Sequence, residues 1–414
     1  MLREIQHISI GSSIPLTNQV AGHEGVLSDA SGSLVIKPAL PREVAFYQTL
    51  SVAEPLSPAY ALKRFVPRSY GTLRLEGQLD SSGGVDTSVK DAVPESVVLE
   101  NLAYAYTRPN VMDAKLGTVL YGPDATPEKR AKMDQKARET TSHETGLRFA
   151  GCQTWHAPTH SYISTPNSFG KTISVSQLST GIIRFFPLPF DTIPSLTTPL
   201  SPPPTASTDS ASVAQRLPII AKASADSGAQ MAMLPPTPIT PEMQTNVYTS
   251  HSIPSTTLLR LLNLLLSEID TLYAVMEKLE MRFVGASLLI VYEGDADRLK
   301  DALERHERKQ AQTADGQNDL TKQRSAFSND GSDVSSETDF DEDFDEDDIL
   351  DETKENASRA QKCPLLTVKL IDFAHTHLAE GEGPDEGMLK GMRTLRHLIE
   401  GRKREVEASL SNSN

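Results

Sequence analysis

Apolar residues in this chain fall into a few strong patterns separated by long polar runs. Leu258, Leu262, Leu265, Ile269, Leu272, Met276 and Leu279 recur at spacings of three and four. That stripe predicts a core helix from Leu258 to about Arg282, preceded by Thr256 and Thr257. Phe283 to Tyr292 then reads as a strand. Ser33–Ile36, Ser96–Leu99 and Leu365–Phe373 are further short apolar strands. Glu43–Tyr47 has helical spacing, with Val44 and Tyr47 on one side. Glu128–Thr140 predicts a helix after Pro127, which suits a first helical turn. Glu386–Glu400 predicts an amphipathic closing helix, and the glycines of 22–25 and 77–84 predict a turn and a surface loop.

Two polar stretches interrupt this pattern. Between Pro187 and Pro241 lie 12 of the chain's 27 prolines, among many serines and threonines. Such a segment buries too little apolar area to fold alone. The expected division is an N-terminal segment 1–18 and a small lobe 19–102. A larger lobe comprises 103–186, 256–300 and 362–405. Disordered inserts are expected at 187–255 (Pro/Ser/Thr-rich) and 301–361 (acidic). Without the inserts roughly 270–300 residues remain, the size of one two-lobed α+β domain.

Charge sharpens the picture. The net charge is −15 over 414 residues, but Asp333–Glu352 holds 12 acids and no base. Setting that tract aside leaves the folded part near neutrality, with no basic tail to suggest direct nucleic-acid binding. The tract reads first as a solvated loop, with an interaction segment for basic partners as the other reading. Cys152 and Cys363 give neither a disulfide framework nor a zinc spacing. The N-terminus lacks an apolar signal core, and no stretch is long and apolar enough for a transmembrane helix. The expectation is a soluble intracellular protein.

The chemistry concentrates in Pro109–Gly117, a PxxxDxKxG pattern. In an extended segment Asp113 and Lys115 point to one face. Gly170-Lys171-Thr172 resembles the end of a Walker A loop, but Thr165 stands where its first glycine belongs. No H-R-D loop is present, which argues against an ordinary protein kinase. The parts of a kinase still occur in order. Lys37 follows a strand and can meet phosphates, and Glu43 on the next helix can orient it. Glu100–Leu102 lies where a hinge would offer backbone groups to adenine, and Asp372 ends a strand where it can hold magnesium. Taken singly, each has a structural reading: Lys37 as a solvated lysine, Asp372 as a turn residue, Glu43 as helix surface, Asp113 and Lys115 as a surface ion pair.

PNVMDAKLG, GHEG before Leu34-Val35-Ile36-Lys37, Glu43–Tyr47, Ser287-Leu288-Leu289 and IDFAHT together resemble the inositol polyphosphate kinase family, most of all its fungal multikinase branch. The resemblance implies an ATP- and Mg2+-dependent phosphotransferase of kinase-like α+β fold, with antiparallel sheets. It would phosphorylate hydroxyls of inositol tris- and tetrakisphosphates in nucleus and cytoplasm. It implies that Asp113 holds the ATP ribose and that Lys37 contacts ATP phosphates. Lys115 would stand between the γ-phosphate and the inositol, Asp372 would ligate magnesium, and His375 would lie near the inositol. Glu100 and Leu102 would take adenine. Lys129, Lys132 and Lys136 share a helix face by spacing and suit a ligand dense in phosphates, although a solvated face has the same pattern. The alternatives are a hexakisphosphate kinase, a trisphosphate 3-kinase, or a regulatory scaffold using the acidic tract to bind basic nuclear or transcription-factor partners.

Overall fold

Alternating and continuous apolar runs close into two five-stranded sheets, every strand pair antiparallel. The computed structural model describes residues 14–15, 25–73, 78–79, 85–86, 95–193, 247–248, 253–327 and 364–412. All but Gly25 of the turn expected at 22–25, most of the loop at 77–84, the proline-rich core at 194–246, the acidic tract and Cys363 lie outside the described residues.

The first sheet uses β1 (Ile14–Pro15), β2 (Leu27–Ser28), β3 (Leu34–Pro38) and β4 (Ser69–Leu73). After a small hairpin of β5 (Gln78–Leu79) and β6 (Val85–Asp86), β7 (Ser96–Glu100) returns to complete it, in the order β1-β2-β3-β7-β4. Helix α1 (Pro41–Ser51) follows β3 directly, with proline in its first turn, and short α2 (Pro58–Leu62) comes after it. The second sheet has the order β10-β9-β8-β14-β15. Its members are β8 (Pro109–Leu116), β9 (Leu147–His156), β10 (Ser161–Thr165), β14 (Ser287–Glu293) and β15 (Leu366–Ile371). Between β8 and β9 stand α3 (Pro127–Arg138) and α4 (Ser142–Thr145), and after β10 come α5 (Asn167–Thr172) and α6 (Leu178–Phe185). The chain divides into two compact units, 1–191 with 249–414, and 192–248. In the second unit the described residues are β11 (Thr192–Ile193) and β12 (Val247–Tyr248), paired antiparallel.

Six of the seven stripe residues lie on α7 (Ser255–Met276) and Leu279 just beyond its end, and all seven are buried. The helix stops six residues short of the expected Arg282. Met281–Val284 is instead strand β13, paired with β16 (His375–Leu378). The single strand expected over Phe283–Tyr292 is likewise two: Gly285 takes a φ of 81° and turns β13 into β14. A third correction concerns the start of the acidic insert. Helix α8 runs from Ala296 to Phe327, because Leu299, Ala302 and Leu303 are buried and fix its first turns. Beyond those anchors its sequence is polar, which is why periodicity does not announce it. The closing helix α9 (Glu386–Ser411) is longer than predicted and packs along α7, with Arg396 bridging to Asp270.

One contact fixes α9 against the second sheet. Gly146 ends α4 at φ 68°, and Gly391 passes so close that an added Cβ would lie 2.2 Å from the Gly146 carbonyl oxygen. Thr394 Oγ1 donates to the Thr145 carbonyl one turn further on. Gly391→Ala should therefore destabilise the fold by about 1–3 kcal/mol. Thermal melting checks this, and an unchanged midpoint would mean that the backbones do not approach so closely.

Candidate active site

Local structure brings a lysine, a glutamate and an aspartate from distant stretches together. Lys37 sits late in β3, and Glu43 lies in the first turn of α1. Asp372 directly follows β15 in the left-handed region, φ 67°, a strained place for any residue but glycine, asparagine or aspartate. Lys37 Nζ donates to Glu43 Oε1 and to Asp372 Oδ1, both at 2.8 Å. Glu43, 1% exposed, also accepts the Phe373 amide at 3.3 Å. Phe373 is fully buried, stacked on Phe46 at 4.0 Å and edged by Tyr47 and Phe283. The aromatic cluster thus fixes the turn that presents Asp372. Burial lowers the Lys37 pKa, but the charges of Asp372 and Glu43 outweigh it and leave it raised.

Asp113 and Lys115 share a face of β8, as their spacing requires. In register, Lys115 faces Ser287 on β14, which faces Ile371 on β15. Lys115 Nζ donates to Ser287 Oγ at 3.0 Å, to the Gly285 carbonyl at 3.3 Å and to Asp372 Oδ2 at 3.4 Å. Asp372 is therefore clasped by two ammoniums, one from each sheet. Asp113 is 3% exposed, and its Oδ1 has no hydrogen-bond partner. Burial raises its pKa above the ordinary value of 3.8, against the lowering effect of Lys115, and Asp372 adds to the rise. A buried carboxylate oxygen without a partner costs about 1–3 kcal/mol, which suits a group waiting for a donor from a ligand.

Beside Asp113 the same face turns apolar. Leu289 stands opposite Asp113, and Val291 stands opposite Val111. With Tyr106 they form one cluster, closed by the Tyr106 hydroxyl on the Val291 carbonyl at 3.2 Å and on Thr367 Oγ1 at 2.8 Å. The alternation Val111–Asp113–Lys115 and Ser287–Leu289–Val291 carried this signal, which reading the motif alone missed. At the hinge, the Glu100 amide is committed to the Arg68 carbonyl, and its carboxylate takes the Arg68 amide at 3.0 Å. Lys369 Nζ lies 3.8 Å from that carboxylate. Leu102 lies in the turn that follows.

The α3 lysines divide between two surroundings. All three are exposed on a helix whose single buried residue is Ala137. Lys129 lies near His375, where burial and then the charges of Lys129 and Arg42 lower the imidazole pKa. Lys136 belongs to another group. Burial, then Arg148, Lys171, Lys115 and Lys132, push its ammonium below the usual range. Arg148 and Lys171 were not expected from the sequence. Gly170-Lys171-Thr172, the Walker-like fragment, is simply the end of α5.

The chain belongs to the inositol polyphosphate kinase family: the sequence model of that family, described as Inositol polyphosphate kinase, matches residues 96–194 and 239–400. An inositol polyphosphate multikinase of Schizosaccharomyces pombe is 32% identical over 170 residues, 41% of this chain and 61% of that protein. The inositol polyphosphate multikinase of Saccharomyces cerevisiae is 26% identical over 422 residues, 92% of this chain and 96% of that protein. The crystal structure of inositol phosphate multikinase Ipk2 from S. cerevisiae, in complex with ADP and Mn2+, superimposes with a TM-score of 0.50 at 21% identity. The match covers 89% of this chain and 99% of that one. At that identity the likeness shows the fold, and it agrees with the expected α+β architecture of antiparallel sheets.

The Asp113 environment makes a stability prediction. A carboxyl whose folded pKa is raised destabilises the fold as pH rises from its unfolded value, 3.8, through the folded value. Asp113→Asn should therefore melt at a higher temperature than the wild type at pH 7. The difference should shrink as pH falls and be absent below about pH 4. Melting curves across pH test this, and a variant less stable at pH 7 would refute it.

Proposed function

We propose that this protein is an inositol polyphosphate multikinase that transfers the γ-phosphoryl of ATP to hydroxyls of inositol tris- and tetrakisphosphates. One observation carries the reading: Asp372 is held between Lys37 and Lys115, with Asp113 on the adjoining strand position and the basic α3 face beyond. The multikinase relatives and the neighbour bound to ADP and Mn2+ support it.

Each residue then has a physical task. The apolar floor of Val111, Leu289 and Val291 takes the flat face of the base. Asp113 accepts hydroxyl protons of the ribose through its unpartnered oxygen. Lys37, kept charged by Glu43 and Asp372, neutralises nucleotide phosphates. Lys115 swings between Asp372 and the transferring phosphoryl group, where it stabilises the charge that develops. Lys129, Lys132, Lys136 and His375 meet the acceptor.

The residues fit a magnesium ion shared with phosphates. Among the described residues no group of three or more His, Cys, Asp or Glu could hold a metal by itself, so Asp372 would supply a protein carboxylate and the nucleotide the remaining oxygens. When bound, the ion neutralises charge on the phosphate oxygens.

Incubation with ATP, Mg2+ and a panel of inositol phosphates, with products resolved by position, tests the reading. Turnover of tris- and tetrakisphosphates is expected. Activity restricted to a hexakisphosphate, or restricted to one hydroxyl of a trisphosphate, would replace it with the narrower kinases. Asp372→Asn keeps a residue tolerant of the left-handed region, so it should fold yet lose about 10^3-fold in kcat. Lys132→Ala should raise the KM for the acceptor by roughly 10-fold and leave the KM for ATP unchanged. Equal loss for both substrates would remove α3 from the acceptor site.

A further inference from the structure

Strand β15 presents three side chains on the face that carries the apolar floor. Thr367 stands opposite Val291, Lys369 opposite Leu289, and Ile371 opposite Ser287. Directly opposed residues share a face. Asp113, Leu289 and Lys369 therefore form one row across β8, β14 and β15. The kinase reading gives Lys369 no task. An apolar residue at this position would extend the floor, whereas a lysine must find partners for a largely buried ammonium.

It finds them at the end of the first sheet. Lys369 Nζ donates to the Arg64 carbonyl at 2.7 Å and to the Val66 carbonyl at 3.3 Å, and it stands 3.8 Å from Glu100 Oε1. The backbone that receives it is fixed. Phe65 and Val66 are buried, and the Arg64 side chain is held by Glu268 of α7 at 2.6 Å. Glu100 is bound twice to Arg68: its amide donates to the Arg68 carbonyl, and its carboxylate accepts the Arg68 amide, both at 3.0 Å. The next residue, Asn101, donates from Nδ2 to the Gly32 carbonyl at 2.7 Å and accepts the Ala103 amide at 3.1 Å. The segment 100–102 is thus tied to the first sheet through Arg68 and Gly32, and to the second through Lys369.

We infer that Lys369 is a positioning residue for the nucleotide, acting through Glu100 to fix the Glu100–Leu102 hinge over the floor of Val111, Leu289 and Val291. The inference rests on the kinase reading above. A base slot bounded by elements of two sheets keeps its width only if something spans them. Lys369 is such a span, rooted in the row that carries the floor and ending on the hinge. It is distinct from the phosphate lysines. Lys37 and Lys115 meet at Asp372, three residues further along the chain and about 10 Å away by strand rise.

Steady-state kinetics with an inositol trisphosphate, varying ATP and acceptor in turn, test this on Lys369→Met, Lys369→Arg and Glu100→Gln. Lys369→Met should raise ATP KM about 10-fold, with acceptor KM and kcat at saturating ATP unchanged. Lys369→Arg should recover most of the loss, since a guanidinium can donate to the same carbonyls and carboxylate. Glu100→Gln keeps an acceptor for the Arg68 amide and removes the charge, so it should raise ATP KM by a smaller factor. A lowered melting temperature with ATP KM unchanged would reduce Lys369 to a structural clasp and overturn the inference, as would equal rises in KM for both substrates. If Lys369→Met does not fold, Glu100→Gln decides: a rise confined to ATP KM supports the inference, and an unchanged ATP KM refutes it. If the wild type phosphorylates no inositol phosphate, the kinase reading fails separately. Calorimetric titration with ADP and Mg2+ then decides the hinge: weaker binding by Lys369→Met supports it, while equal binding, or no binding by the wild type, refutes it.

Discussion

The ion bridge Lys37–Asp372–Lys115 is the constraint on which the rest of the site depends. It joins a strand of the first sheet to β8 and β15 of the second, the two strands that flank β14. Isolated, such a bridge adds little stability, since desolvation of buried charges offsets their attraction. Its value here is positional. Glu43 fixes Lys37, the Phe46–Phe373 stack fixes the turn, and the left-handed backbone at Asp372 aims the carboxylate between the amines. Every element that meets at this point is held by packing elsewhere.

Charge is distributed around the bridge by function. On one side lie Asp113 and an apolar floor, suited to a base and its ribose. On the other lies a cluster of cations, with Arg148, Lys171, Lys115 and Lys132 acting on Lys136, suited to a polyanion. Lys115 stands at the boundary and reaches both. A strand with period two places three alternate positions, Val111, Asp113 and Lys115, on one face, and on the proposed reading they would meet base, sugar and phosphate in turn.

Much of this was legible in the sequence. The α7 stripe is a strong helical signal because all its contacts lie on one face, and each stripe residue is buried. Asp113 and Lys115 could be placed on one face from spacing alone. Lys37, Glu43 and Asp372, chosen for their order along the chain, are neighbours in space. Three things were not legible. The Gly285 turn breaks an unbroken apolar run, and apolar periodicity does not register a change of backbone direction. Among its described side chains, helix α8 buries Leu299, Ala302 and Leu303, too few to show a stripe. Arg148 was hidden because a bulge at Ala150 inverts the alternation by which faces are assigned, and register is a property of two strands, not of one sequence.

The clasp on Asp372 has a consequence for how ligands arrive. Its carboxylate already occupies the place of an anion between two ammoniums, so the pocket carries an internal mimic of its own guest. On the proposed reading, entry of a phosphate would be a swap of partners and not the filling of a void. The released carboxylate would then face the newcomer's negative charge, so a counter-cation would serve admission as well as chemistry.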